Sequence, residues 1–314
     1  MSAMRYSVSG TMAHTWEEVR RAAVQADECG FGGFYASDHL MGVAGFAEEQ
    51  GVVDALTLLG ALAPLTARLR LGAMVSPITF RNPPMLARAV GGLDVISGGR
   101  AVLGVGAGWS EAEHSTFGIP FPSARQRLEL LEDACRMLKA LWEAADPIDL
   151  DGQFPLRGAS LSPRPIQRAV PLLVAGASDR SIAVAARWAA MWHCVGSPAY
   201  LAERTERLRQ EEAKAGRPEG SVEVVARITF EVVTDASAAR ERRQAVRQSA
   251  LNSGAAQRRS WVEGEDPGAA TYVGPLEGLR ERVDAYERAG VQEVYFPLYK
   301  HPDAVPEIAA ILFD

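Results

Sequence analysis

The sequence has 314 residues, of which 47% are hydrophobic and 23% are charged, with a formal net charge of −6 at pH 7. A chain of this length can bury one large core, and α/β barrels commonly form a single domain of about 250 residues or more. The acidic balance and the lack of any basic run argue against nucleic acid as a partner.

The apolar segments and the cysteines argue against a membrane protein or a secreted one. The most apolar stretch, residues 55–65, is interrupted by glycine and proline and is too short to span a bilayer. The first residues contain no long apolar segment, so we expect no signal peptide. Cys29, Cys135 and Cys194 are far apart and follow no metal-binding or redox spacing. We therefore expect a cytoplasmic protein without a membrane partner or a structural disulfide.

Hydrophobic periodicity divides the chain into alternating strands and helices. A brief strand at residues 6–9 precedes a helix that begins with a capping box, Thr15 to Glu18, and ends at Gly30. The elements predicted next are a strand at 31–36, a helix at 53–65, a strand at 69–75, a helix at 83–97, a strand at 101–105, a helix at 123–142, a strand at 171–175, a helix at 180–190, a strand at 191–195, a helix at 199–215, a strand at 222–232, a helix at 236–251, a helix at 276–289, a strand at 291–296 and a helix at 304–313.

This order gives eight strands, each followed by a helix, with no change of composition that would mark a second domain. It predicts a (β/α)₈ TIM barrel over residues 1–314, and eight regular repeats favour it over the alternative of an open doubly wound sheet. Three segments lack periodicity. Residues 106–122 are predicted as a polar, glycine-rich loop, residues 145–170 as a surface excursion with a small hairpin, and residues 252–273 as a lid loop.

The carboxyl ends of the strands share one face of such a barrel, and barrel enzymes carry their active sites there. The residues predicted at this face are Asp38 and His39 after the second strand, Met74, Val75 and Ser76 at the third, Ala107, Gly108 and Trp109 followed by Glu113 and His114 after the fourth, Gly176, Ala177, Ser178 and Arg180 after the fifth, and His193 in the sixth.

Two specific sites are disfavoured by the residues themselves. The glycines at 104, 106 and 108 miss the GxGxxG spacing of a dinucleotide fold, and close packing of the loop explains them more simply. Asp38, His39, Glu113 and His114 could converge on a metal, but the chain has only five histidines and no HxH pair. We therefore predict neither a Rossmann site nor a metal site.

Three other positions keep two interpretations each. Trp109 either stacks on a ring or covers the barrel mouth. His39 is either a functional group or a hydrogen-bonded residue at the rim of the barrel. The residues 176–178 precede a predicted helix, whose first amides either bind a phosphate or belong to an ordinary turn. Taken together, the residues indicate a barrel enzyme with a phosphate-bearing ligand.

An ordered set of motifs over nearly the whole chain resembles a known family. The motifs are Glu17-Glu18, Cys29-Gly30-Phe31, Ser37-Asp38-His39-Leu40, Leu71-Gly72-Ala73-Met74-Val75, Thr79-Phe80-Arg81-Asn82-Pro83, Ser97-Gly98-Gly99-Arg100, Leu103-Gly104-Val105-Gly106-Ala107-Gly108-Trp109, Glu113-His114, Phe117-Gly118-Ile119-Pro120-Phe121, Pro171-Leu172-Leu173-Val174-Ala175-Gly176 and Tyr272-Val273-Gly274-Pro275. With these the chain resembles the luciferase-like monooxygenase superfamily and, within it, the oxidoreductases that depend on coenzyme F-420, a deazaflavin.

The resemblance implies a (β/α)₈ barrel with the deazaflavin across its carboxyl-terminal mouth. It places the ring on a bulge after the third strand, with a non-prolyl cis peptide at Met74-Val75. It also implies that the run with Gly104, Gly106 and Gly108 lets this flat ring lie close to the backbone. The residues that it implies for cofactor binding are Met74, Val75 and Ser76 under the ring, Ala107, Gly108 and Trp109 beside it, and Gly176, Ala177, Ser178 and Arg180 at the phosphate-bearing tail.

The activity that the resemblance implies is hydride transfer between coenzyme F-420 and a small, fairly apolar organic substrate. His39 matches the family's active-site histidine and is the expected acid or base, oriented by Asp38, with Glu113 as a second candidate. Residues 195–198 lack the lysine of the sugar-phosphate dehydrogenases, so a sugar phosphate is not expected. A homodimer is also implied. The alternatives are an FMN-dependent monooxygenase that uses O₂ and a non-catalytic flavin-binding barrel.

Overall fold

A computed structural model of the chain describes residues 4–10, 15–42, 53–252, 260–298 and 302–313. The strands within these ranges are β1 (Arg5–Gly10), β2 (Gly33–Ala36), β3 (Arg70–Pro77), β4 (Ala101–Gly106), β5 (Ile148–Leu150), β6 (Leu156–Ala159), β7 (Leu172–Ala175), β8 (Met191–Cys194), β9 (Glu223–Arg227), β10 (Thr229–Val232), β11 (Thr271–Gly274) and β12 (Glu293–Pro297).

The helices surround these strands. They are α1 (Trp16–Cys29), α2 (Ala55–Leu62), α3 (Pro83–Ser97), α4 (Glu111–Thr116), α5 (Ala124–Glu143), α6 (Asp179–Trp188), α7 (Pro198–Lys214), α8 (Ala236–Asn252), α9 (Leu279–Arg288) and α10 (Val305–Phe313). Single 3₁₀ turns continue α2 and precede α9. Within the described ranges, no helix has the length and the apolar character that crossing a membrane requires.

Eight strands close a parallel barrel in the order β1-β2-β3-β4-β7-β8-β9-β12, and β12 pairs with β1 to complete it. The predicted (β/α)₈ barrel is therefore confirmed, and the open doubly wound sheet is excluded, because an open sheet would leave β1 and β12 as unpaired edges. The local signals at the helix ends also hold. Thr15 and Glu18 form both bonds of a capping box at the start of α1, and Gly30 ends the helix at φ 91°.

Two apolar layers hold the barrel. One lies between the strands and the surrounding helices, and the other fills the interior. The interior layer consists of Tyr35, Met74, Val102, Leu173, Met191, Val225 and Tyr295, with Val75 and Ala175 packed at its margin. Strands that are buried on both faces need apolar residues on both, which explains why the barrel strands read as nearly continuous apolar runs.

The amino-terminal end of the barrel is closed by a buried carboxylate. Glu293 is 1% exposed and accepts hydrogen bonds of 2.7 Å from the hydroxyls of Ser7 and Tyr35. Arg5 donates to its other oxygen at 3.3 Å and also pairs with Glu223. Burial and the neighbouring Glu293 charge raise the pKa of Tyr35 well above its usual value, so the phenol stays a donor. The amino-terminal end of the interior is thus filled, and the predicted site residues lie at the opposite, carboxyl-terminal end.

Three predicted segments differ from the structure or extend beyond it. The seventh strand, predicted over 222–232, is divided at Ile228. Its amide donates to the carbonyl of Tyr295, after which β10 leaves the barrel and pairs with β11. The predicted loop 106–122 contains the short helix α4. The surface hairpin of the 145–170 excursion is confirmed as the antiparallel pair β5-β6. Of the lid loop predicted over 252–273, residues 253–259 lie outside the described residues, Asn252 ends α8, and the last three residues belong to β11, so the predicted loop is too long at both ends.

Candidate active site at the barrel mouth

The third barrel strand carries a bulge at the mouth. Its register with β4 shifts between Ala73 and Ser76, and the peptide bond between Met74 and Val75 is cis, as predicted. The bulge lies within β3 and not after its end. Met74 and Ser76 are buried, whereas Val75 is partly exposed at the margin of the interior layer.

Two glycines of β4 make room for this bulge. A Cβ atom at Gly104 would lie 2.4 Å from the Ala73 carbonyl oxygen and 2.9 Å from Val75, and one at Gly106 would lie 3.1 Å from Val75. The space beside both glycines is therefore filled by β3. This corrects the expectation that the glycine-rich run leaves room for a flat ring, because at these two positions the neighbour is the chain itself. Gly108 follows with φ 78°, and a Cβ atom there would lie 3.0 Å from the Thr79 hydroxyl oxygen.

His39 and Glu113 form the first polar pair of the mouth. The Nδ1 atom of His39 lies 3.1 Å from both carboxylate oxygens of Glu113, and the backbone N–H of Leu40 donates to Oε1 at 2.8 Å. Glu113 is 1% exposed, and the side chain of His39 is 15% exposed. Because the carboxylate accepts on this side, the His39 proton lies on Nδ1, and Nε2 is the acceptor nitrogen of the ring.

The short helix α4 delivers Glu113. Ser110 caps the helix, since its hydroxyl accepts the backbone N–H of Glu113 at 3.3 Å. A serine followed three residues later by glutamate is a capping signal that the sequence contained and that predicts this helix. Trp109, the residue before Ser110, is 47% exposed, and its ring stands nearly perpendicular to that of His39 with 6.1 Å between the centroids.

Asp38 belongs to a different cluster from His39. Both carboxylate oxygens of Asp38 bond Arg81, whose guanidinium also bonds Asp54 at the start of α2, and the Ser76 hydroxyl donates to Asp38. Hydrogen bonds and charge from Asp38, and then from Asp54, raise the pKa of Arg81 against the effect of its burial. The Thr57 amide and then Arg81 lower the pKa of Asp54 against the effect of its burial. Asp38 was expected to orient His39; the structure assigns that contact to Glu113, and Asp38 instead ties β2 to the residue after the bulge.

Two further histidines have both ring nitrogens occupied. His114 is fully buried, with Nδ1 2.6 Å from the Ser110 carbonyl and Nε2 2.8 Å from the Thr79 hydroxyl. His193, in β8, contacts the Val225 carbonyl through Nδ1 at 3.0 Å and the Tyr295 hydroxyl through Nε2 at 3.3 Å. Carbonyls only accept, so both rings carry their proton on Nδ1 and accept a hydroxyl proton on Nε2.

The charge state of His193 makes stability depend on pH. Burial lowers its pKa from 6.5 to about 4, and the Arg227 charge adds to the shift. The unfolded chain therefore binds a proton between these values that the folded protein does not, so the stability contributed above pH 6.5 is lost as the pH falls towards about 4. We expect the stability difference between wild type and His193→Asn, measured by urea unfolding, to fall by about 2 kcal/mol between about pH 7.5 and about pH 5. A difference independent of pH would contradict this.

The amino end of α6 lies beyond β7 at the predicted phosphate seat. Ser178 caps this helix and is exposed, and Gly176 accepts the indole N–H of Trp192 at 2.8 Å. The first helical residue, Asp179, pairs with Arg204 and Arg207 of α7. Arg180, expected as a charge partner for a phosphate, lies 3.2 Å from Glu129 of α5. The cations beside Asp179 were not anticipated, because they are on the next helix.

The structure brings together most of the predicted site residues, and it adds two. Met74, Val75 and Ser76 and the segment 107–109 lie on adjacent strand ends, while Ala177 and Ser178 lie at the end of β7, beside β4. Arg81 and Arg227 were missed. No local pattern shows that Arg81 pairs with a residue 43 positions earlier, whereas alternation along the seventh strand would have placed Arg227 on the inner face. In the described part of the chain, no group of His, Cys, Asp or Glu could hold a metal ion.

Comparisons with known proteins extend over the whole barrel. A family model described as luciferase-like monooxygenase matches residues 3–293. The F420-dependent glucose-6-phosphate dehydrogenase of Kineococcus radiotolerans is 33% identical over 210 residues, which are 64% of this chain and 60% of that protein. The pyrimidine monooxygenase RutA of Methylorubrum extorquens is 32% identical over 191 residues, 58% of this chain and 49% of that protein. The chain thus spans about half to three fifths of the length of these relatives.

A solved structure matches nearly the complete fold. The F420-dependent secondary alcohol dehydrogenase in complex with an F420-acetone adduct superposes with a TM-score of 0.82, covering 99% of this chain and 98% of that one. The two sequences are 18% identical, so this likeness concerns the fold alone.

Proposed function

Because the chain belongs to the luciferase-like monooxygenase family, we propose that it is an oxidoreductase that transfers a hydride between coenzyme F-420 and a small, fairly apolar organic substrate. The observation that carries the proposal is the His39–Glu113 pair at the barrel mouth. A substrate that gains or loses a hydride at carbon must also gain or lose a proton, and a positioned imidazole is the usual group for that exchange. The F420-dependent relative supports the same choice.

The residues at the mouth fit a deazaflavin. The partly exposed Val75, the partly exposed Ala107 and the exposed Trp109 ring offer an apolar surface beside the bulge. At the amino end of α6, the first amides have no acceptor within the helix and suit a phosphate. The Asp179 carboxylate in that first turn is neutralised by Arg204 and Arg207. Met74, Val75, Ser76, Ala107, Gly108 and Trp109 would hold the ring, and Gly176, Ala177 and Ser178 the tail.

When bound, the deazaflavin supplies a carbon that gives or accepts a hydride. His39 exchanges the accompanying proton through Nε2, while Glu113 keeps Nδ1 protonated and fixes the direction of the ring. The backbone N–H of Leu40 donates to Glu113 at 2.8 Å. The carboxylate that orients His39 is therefore held by the backbone of the loop after β2. Glu113 itself is 1% exposed and contacts His39 rather than the open mouth, which favours a positioning role over direct proton transfer.

Titration of the apo protein with each cofactor tests the proposal. Binding is measured by the quenching of protein fluorescence. We expect the dissociation constant of coenzyme F-420 to be at least about tenfold lower than that of FMN. The loaded protein is then screened against alcohols, imines and enones, with cofactor absorbance as the readout. Tight FMN binding without F-420 binding would overturn the choice of cofactor.

A flavin-dependent monooxygenase that uses O₂ is the second candidate, and the RutA relative of similar identity favours it. It predicts oxygen consumption by the FMN-loaded protein when a reductant is supplied. A non-catalytic flavin-binding barrel predicts binding of either cofactor but no reduction of it by any donor.

The homodimer and the single-domain organisation remain predictions, which light scattering and limited proteolysis of the full chain would check.

A further inference from the structure

The bulge of β3 lies just beyond the point where this strand loses its partner on one side. The last paired residues of β2 and β3 are Ala36 and Ala73, because β2 ends there. On the other side, the ladder with β4 resumes only at Ser76, after the register shift. Ladder hydrogen bonds hold a strand in place residue by residue. From Met74 onwards, β2 offers no ladder, and the contact on that side comes from side chains.

One buried carboxylate makes this contact. Asp38 lies two residues after the end of β2, its side chain is 1% exposed, and it accepts the hydroxyl of Ser76. Both of its oxygens also accept from the guanidinium of Arg81, which lies between β3 and α3. Such a two-point pair fixes direction as well as distance. Arg81 therefore holds the carboxylate against the strand that the bulge interrupts.

The segment that Arg81 holds also carries the proposed acid or base. His39 follows Asp38 directly in the chain, and its Nδ1 atom lies 3.1 Å from both oxygens of Glu113. The loop after β2 is thus held at two adjacent residues. Arg81 holds the first by its carboxylate, and Glu113 holds the second by its ring. The first of these contacts is the one that joins the loop to the bulge.

A second carboxylate contacts Arg81 from the outer side. Asp54 begins α2, where it accepts the backbone N–H of Thr57 at 2.8 Å, and its side chain is 45% exposed. It pairs with the same guanidinium as Asp38 does. Loss of the Asp54 charge would leave the two-point pair with Asp38 in place. The two carboxylates therefore separate the position of the bulge from the general stability of the cluster.

We propose that Arg81 is a positioning residue, whose two-point pair with Asp38 locks the bulge of β3 to the loop that carries His39. Its effect on the cofactor rests on the proposed function, whereas its effect on the bulge does not. A ligand binds more weakly when the arrangement that it needs is only partly populated. If that population falls to about one tenth, the dissociation constant rises about tenfold.

Two variants of the full chain test the role of the pair. Arg81→Lys keeps a positive charge beside Asp38, but an ammonium group cannot form the planar two-point pair. Asp54→Asn is the matched control, because it changes the other partner of the same guanidinium and asparagine still caps a helix. Circular dichroism melting of both variants records the loss of stability, and the other measurements are made well below the melting temperature.

The methyl group of Met74 reports the bulge without any cofactor. Met74 belongs to the interior layer together with Tyr35 and Tyr295, and the fields of aromatic rings make a nearby methyl signal sensitive to its position. The signal is followed by NMR in the apo protein with isotope-labelled methionine and is assigned with Met74→Leu. Fluorescence titration with coenzyme F-420 is the second measurement.

In Arg81→Lys we expect the Met74 signal to shift or broaden and the dissociation constant of coenzyme F-420 to rise about tenfold or more. In Asp54→Asn the signal should match that of the wild type, and the dissociation constant should stay within about twofold. A merely structural role of Arg81 predicts lower melting temperatures in both variants, with the Met74 signal and the F-420 affinity unchanged. That result would overturn the proposal.

The remaining outcomes also decide. Equal changes of the Met74 signal in both variants would show that the pair with Asp38 has no special role. A changed signal with unchanged F-420 affinity would refute the effect on the cofactor. If Arg81→Lys fails to fold, Ser76→Ala takes its place, because it removes the link between Asp38 and the bulge and should displace the same signal. Failure of the wild type to bind coenzyme F-420 would refute the proposed function, and the Met74 signal alone would then test the positioning.

Discussion

His39→Ala is expected to lower the rate of hydride transfer by about 10²- to 10⁴-fold, the contribution that a positioned acid or base typically makes. Coenzyme F-420 should still bind, within about threefold of the wild-type dissociation constant, because the proposed ring and tail contacts come from other strand ends. Single-turnover absorbance of the loaded enzyme measures the first quantity, and fluorescence titration measures the second. Imidazole added to His39→Ala should restore part of the rate.

Glu113→Gln is the companion variant. The oxygen of the glutamine amide can still accept the Leu40 N–H. Its NH₂ group then takes the place of the second carboxylate oxygen and can donate to Nδ1, so the tautomer of His39 is no longer fixed. A positioning role predicts a smaller loss of rate and a displaced pH profile, whereas a purely structural role predicts a lower melting temperature and an unchanged profile. Unchanged turnover in His39→Ala would remove this histidine from the mechanism.

Arg81→Ala is expected to lower the free energy of unfolding by about 3–5 kcal/mol, because it leaves Asp38 buried without its cationic partner. The side chain of Asp38 is 1% exposed, and that of Arg81 is 22% exposed, so little solvent can replace the guanidinium. Urea unfolding of the apo protein measures the change. Arg20→Ala, which breaks the exposed pair with Glu17, should cost less than about 1 kcal/mol.

The double variant Arg81→Ala with Asp38→Asn separates the charge from the packing. Removing the carboxylate should recover much of the lost stability, since the cost is mainly that of an unpaired buried charge. A loss below about 1 kcal/mol in Arg81→Ala, or a double variant no more stable than the single one, would show that Asp38 finds another partner.

The fold was predictable because its signals are local. Apolar spacing distinguishes strand from helix within a few residues, and the capping box at Thr15 and the glycine at 30 end their helix by contacts within one turn. Where prediction failed, the local pattern was incomplete. The run from 222 to 232 has valine, isoleucine or phenylalanine along its whole length and contains no glycine or proline. Nothing within it shows that the chain turns out of the barrel at Ile228, because the β11 strand that receives it comes about 40 residues later.

The sequence by itself determined the eight strand-helix repeats, their closure into a barrel and the strand ends at which the candidate site lies, because backbone periodicity depends on neighbours a few residues away. The resemblance added the cis bond at Met74-Val75. Only the tertiary structure decided the partners: Glu113 rather than Asp38 against His39, Arg81 on Asp38, and Tyr295 on His193, which are 74, 43 and 102 residues apart. Which side chains meet depends on where separate strands end around the barrel. A local sequence pattern carries no information on the spatial distance between residues that are so far apart in the chain.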